Sequence, residues 1–153
     1  MPSPSPVFDA GMFFRFGSLA RAGLRSPTCF KAILAGERTS TTRFPGDGAA
    51  QYERWRRLAV GDLVRVWSGP FLKGAYVGES AMIVITEPAR EIDLAALSPT
   101  EREDWSLAEG WAAVRIDTWI LEGHATSGIQ IRYRLRNEIG RSSVQETTTG
   151  PSS

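Results

Sequence analysis

The sequence predicts an α+β protein, a small and mostly antiparallel β-barrel or curled sheet with helices packed on it. Three observations lead there. The elements run strand, helix, several strands, two helices, strand, and no βαβ unit repeats, which argues against a doubly wound parallel sheet. Several segments alternate apolar and polar residues with the period of a strand. The helical segments carry their own start and stop signals, and a barrel is a common way to manage many short strands.

The opening PSPSP is rich in proline and serine and predicts a disordered tail over residues 1–11. MFFRFG, residues 12–17, reads as the first strand. In SPTCFKAILAG, Ser26 precedes Pro27, and Phe30, Ile33 and Leu34 recur at helical spacing before Gly36. That is a helix with an N-terminal cap and a left-handed stop. GERTSTTR follows as an extended segment, because threonine favours strands. FPGDGA turns the chain, and QYERWRRL forms a short helix.

GDLVRVWSG reads as a strand begun by a Gly-Asp turn, with Leu63, Arg65 and Trp67 on one face and Val64 and Val66 on the other. GESAMIVITEP is a strand closed by Pro88. LSPTEREDW has the sharpest helix start: Ser98 as N-cap, Pro99 at the first helical position and Glu101 completing a capping box. WAAVRIDTWILEG is a second helix stopped by Gly123. GIQIRYRLRNE is the last strand, with Ile129, Ile131, Tyr133 and Leu135 alternating with Gln130, Arg132, Arg134 and Arg136. The folded unit is then residues 12–138, and the polar stretch 139–153 is expected to be a second loose tail.

The chain has 153 residues and a net charge of +1, the scale of one domain able to bury its own core. One cysteine, Cys29, excludes an intrachain disulfide and a cysteine-based zinc cluster, and fits a reducing, cytoplasmic compartment. One histidine, His124, excludes a two-histidine metal site, and no cofactor is expected. No apolar run approaches membrane-spanning length, and the N-terminus lacks the pattern of a signal peptide.

Residues 38–43 raise the functional question. Arg38, Thr39, Ser40, Thr41, Thr42 and Arg43 are all hydroxylated or cationic, directly after an apolar helix. Buried, each would need hydrogen-bond partners. One reading is an edge strand with solvated hydroxyls; the other is convergence on a site. Strand alternation puts Arg38 and Thr41 on opposite faces, so a shared cleft requires a bend between them. Glu109 also has two readings, because Ser106 three residues before it would make a second capping box.

ILAGERTSTTR, VGDLVRVW and LAEGW, in that order, resemble motifs of the ASCH domain, a family of the PUA-like superfamily. The likeness spans residues 12–136. It implies a PUA-like barrel with a cleft beside the first helix and a role in recognising RNA or a modified nucleoside. One branch of the family hydrolyses N4-acetylcytidine with a lysine, a threonine and a glutamate. By position these fall on Arg38, Thr41 and Glu109, with arginine in the lysine place. Arginine keeps its proton, so Arg38 cannot act as the base that activates a threonine hydroxyl. The resemblance therefore leads first to a binding module, with Thr39, Ser40 and Arg43 beside those three residues and Trp67 or Trp111 stacking on a base. Arg132 and Arg134 are candidates for a phosphate track, against a solvated outer face. An amidohydrolase, or a ribonuclease using Arg38 and Glu109, stands as the alternative.

Overall fold

The computed structural model describes residues 5–22 and 24–136. Of the expected tails, residues 1–4 and 139–153 lie outside the described residues. The architecture is α+β with a curled, barrel-like sheet. Its strands are β1 (Phe8–Gly11), β2 (Ser40–Arg43), β3 (Leu63–Trp67), β6 (Ser80–Ile85), β7 (Arg90–Asp93) and β8 (Ser127–Leu135). A separate hairpin joins β4 (Phe71–Leu72) to β5 (Ala75–Tyr76). The α-helices among the described residues are α1 (Cys29–Leu34), α2 (Ala49–Arg56), α3 (Pro99–Glu109) and α4 (Val114–Leu121).

The sheet runs β1-β3-β6-β8-β2, with β7 also paired to β8. Among the described residues, only β1 and β3 pair in parallel. The nine-residue β8 holds the curl together. Its first half pairs with β2 along one edge and β7 along the other, and Tyr133 to Leu135 then pair with β6.

Two expectations move. The first strand lies at Phe8–Gly11, inside the stretch expected to be a tail, while 12–17 is no strand: it holds an isolated bridge from Arg15 to Thr28, and Gly17 opens a short 3-10 turn. Phe8 and Ala10 face the core and outweigh the nearby prolines. The cap of α1 is Thr28 rather than Ser26; its hydroxyl accepts from the Lys31 amide at 3.2 Å. The Ser98 capping box, Pro99 at the helix start and the positive φ of Gly36 and Gly123 are as the sequence predicts.

Two hydrophobic clusters result. The larger packs Phe8, Phe30, Ile33, Trp55, Val64, Ile83 and Ile131 inside the curled sheet. The smaller packs Phe44, Ile92, Leu94, Trp105 and Ile116 under α3 and α4. Trp111 packs against both.

Candidate functional site

The path of the chain after α1 places the site. Gly36 has φ +75°, and the amides of Glu37 and Arg38 both reach the Ala32 carbonyl. Residues 38 and 39 precede β2, so strand alternation does not govern Arg38. The Thr39 amide donates to Ala108 O at 2.8 Å, tying this segment to the end of α3.

Arg38 is buried, 3% exposed. Its Nη1 donates to the Glu109 carbonyl at 3.0 Å, its Nη2 to Thr41 Oγ1 at 2.9 Å and its Nε to Tyr133 Oη at 3.3 Å. The first bond satisfies an orphan carbonyl at the C-terminus of α3, where the macrodipole also favours a cation. Nη2 lies 3.7 Å from Glu109 Oε1, and the guanidinium sits 5.1 Å above the Phe14 ring. Burial opposes the charge of Arg38, but Cys29 and Tyr133, charged only at the alkaline pH where an arginine would titrate, and Glu109 outweigh it, so its pKa lies above the ordinary value. Burial pushes the Tyr133 phenol and the Cys29 thiol up, so both stay neutral at pH 7.

Glu109 is 1% exposed. Its Oε2 accepts from Ser40 Oγ, from Thr42 Oγ1 at 2.8 Å and from Gln130 Nε2 at 3.3 Å. The second capping box is therefore corrected. Ser106 lies inside α3 and donates to Trp111 O at 2.5 Å, while Glu109 ends that helix and points into β2. Gly110 takes the left-handed φ of +91° that stops α3 there.

Arg38, Thr41, Thr42, Arg43 and Glu109 line one cavity of about 160 Å³. Its walls include Phe14, Trp105, Trp111 and Trp119. Trp111 stacks on Phe14 at 5.2 Å and 15°. Ser40 reaches the network through Glu109, whereas Thr39 contributes its backbone, also accepting from the Tyr133 amide. Arg43 lies over Trp55 at 4.8 Å. Trp67 belongs elsewhere. It lines a separate groove with Arg54 and Arg57, stacks on Tyr76 at 6.1 Å and donates to Asp9 Oδ1 at 2.8 Å. It sits on the strand face opposite the buried Val64 and Val66, which is why proximity of motifs in sequence misplaced it. Arg132 and Arg134 are on β8 outside the cavity; Arg132 lies 4.0 Å from Glu87, and Arg134 is exposed.

Sequence reasoning missed Gln130, Tyr133, Trp105, Trp119 and Arg115. Gln130 shares the alternation of Arg132, Arg134 and Arg136 in sequence, yet it is 2% exposed. Arg90 Nη2 donates to its Oε1 at 2.9 Å, which leaves its amide nitrogen for Ser40 and Glu109. A neutral residue among the three arginines of that strand was the available signal. Among the described residues, no three of His, Cys, Asp and Glu converge as a metal site, and no helix is long and apolar enough to cross a membrane. The chain matches no family model, and no curated protein or solved structure is significantly similar to it.

Proposed function

We propose that the chain is a PUA-like module whose cavity receives the base of a nucleoside or of an RNA nucleotide. One arrangement supports this reading: a buried Arg38–Thr41–Glu109 network at one end of a cavity walled by aromatic rings. Aromatic faces stack on bases, and buried donors and acceptors read base edges. Thr41 would donate its hydroxyl proton. Glu109 Oε1 would accept from a base amino group.

Binding is favoured over hydrolysis because the cavity presents no amine base. Lys31 pairs with Glu79 at 3.6 Å on the surface, and Lys73 sits in the hairpin between β4 and β5; neither lines the cavity. Arg38 remains protonated and donates to Thr41 instead of accepting from it.

The test is tryptophan fluorescence titration with cytidine, uridine, N4-acetylcytidine and short RNAs, with turnover of N4-acetylcytidine followed in parallel. Saturable binding that Thr41→Val and Glu109→Gln each weaken about tenfold or more is expected; a tenfold loss corresponds to ~1.4 kcal/mol. Circular dichroism checks that both variants fold. A folded wild type that binds none of these compounds would sink the reading. So would fast hydrolysis that survives Glu109→Gln.

A further inference from the structure

The cavity is also lined by arginine that its Arg38–Thr41–Glu109 network does not use. Its lining holds three arginines, Arg38, Arg43 and Arg115, and a single carboxylate, Glu109. Arg38 and Glu109 are committed to one another. Arg115 is different. It lies in the first turn of α4, half-buried, with its guanidinium 5.1 Å from the Trp111 ring and 5.3 Å from the Trp119 ring. No carboxylate lies within ion-pair distance of it among the described residues. A cation in the first helical turn is opposed by the macrodipole, so the helix does not explain it. The two rings hold it in place through cation–π contacts and supply no counter-charge. It lines the same cavity as the fully buried Arg38, Thr41 and Glu109, at a half-buried position.

We propose that Arg115 is an anion-binding residue and that the natural ligand carries a phosphate ester, as a nucleoside monophosphate or as a nucleotide within RNA. This rests on the base-binding reading for the other end of the cavity. The base would lie against Thr41 and Glu109, and the phosphate would take paired N–H donors from the Arg115 guanidinium, whose planar fork suits phosphate oxygens.

Calorimetric titration of the full chain with cytidine, cytidine monophosphate, ribose 5-phosphate and a 5′-phosphorylated RNA hexamer tests it at low and high salt. The nucleotide should bind at least about tenfold tighter than the nucleoside at low salt, and the ratio should shrink as salt rises. Arg115→Gln should bring that ratio close to one, and Arg115→Lys should keep part of it. Ribose 5-phosphate binding that depends on Arg115, without any nucleoside binding, would uphold the anion site and sink the base reading. A hexamer that outcompetes the free nucleotide through Arg115 would assign the phosphate to RNA; the reverse order would assign it to a free nucleotide. Equal affinity for nucleoside and nucleotide, or a preference that Arg115→Gln leaves intact, would overturn the proposal.

Discussion

The fork of the Arg38 guanidinium is put to use at three places. One side chain caps the α3 carbonyl, holds Thr41 and meets the Tyr133 phenol. Removing it leaves Glu109 buried without its cation, a loss of about 3–5 kcal/mol. Arg38→Ala should therefore lower the urea midpoint sharply. The Arg38→Ala/Glu109→Ala double variant should lose less than the sum of the two single losses, because the partners couple. Glu37 permits a pH prediction. Its carboxylate accepts from the Arg25 and Ser26 amides at 3.1 Å each, and hydrogen bonding from Ser26 and then Arg25 holds its pKa below the ordinary 4.5. A depressed folded value contributes stability above the unfolded value, and that contribution is lost as pH falls through the folded value. Acid unfolding followed below pH 4.5 should be less steep in Glu37→Gln than in wild type.

At the scale of elements, α3 matters most, because its last residue is Glu109. Its start is fixed by the reciprocal capping box, Ser98 amide to Glu101 Oε1 at 2.8 Å and Glu101 amide to Ser98 Oγ at 3.2 Å. Ser98→Ala should cost about 1 kcal/mol, seen as a fall of roughly 2–4 °C in Tm. The end of α3 is more demanding. Gly110 has φ +91°, and an added Cβ would lie 3.0 Å from Phe16 Cζ. Phe16 is buried edge-on to Trp111 at 4.9 Å and has little room to yield. Gly110→Ala should cost about 1–2 kcal/mol from the backbone alone. It should also weaken ligand binding by displacing Trp111 and Glu109, whereas Ser98→Ala should leave affinity unchanged. Thermal melts and fluorescence titration of the two variants separate these outcomes.

At the scale of the molecule, β8 ties β2, β6 and β7 into one sheet, and β6 joins β3 to it, so residues 60–120 are anchored to that sheet through β3, β6 and β7. Limited proteolysis should leave that stretch intact, and early cleavage within it would show a looser arrangement. The surface arginines are a separate matter from the cavity. Arg132 and Arg134 lie outside it, so if the ligand is RNA and the strand follows β8, each alanine replacement should reduce the log–log salt slope of binding by about one unit. An unchanged slope would leave that stripe as a solvated face.

The sequence by itself determined the local structure wherever the signal was local. Ser98, Pro99 and Glu101 wrote the start of α3, Gly36 and Gly123 wrote two stops, and alternation wrote the buried isoleucines of β8. It also marked 38–43 as a segment whose hydroxyls and guanidinium groups would each need a partner if buried, and left a solvated edge strand and a site both open. Tertiary structure decided what those residues do. Strand alternation says which side of a strand a residue takes, but not what covers that side. Gln130 alternates with the arginines of β8 and is nevertheless buried, because α3 brings Glu109 onto the face it shares with Thr42. Trp67 went to another groove because its face of β3 meets the β4–β5 hairpin, a contact set by chain reversal rather than by any motif. The cavity exists only where segments far apart in sequence meet, so its charge and its aromatic walls follow from packing and not from any one stretch of sequence.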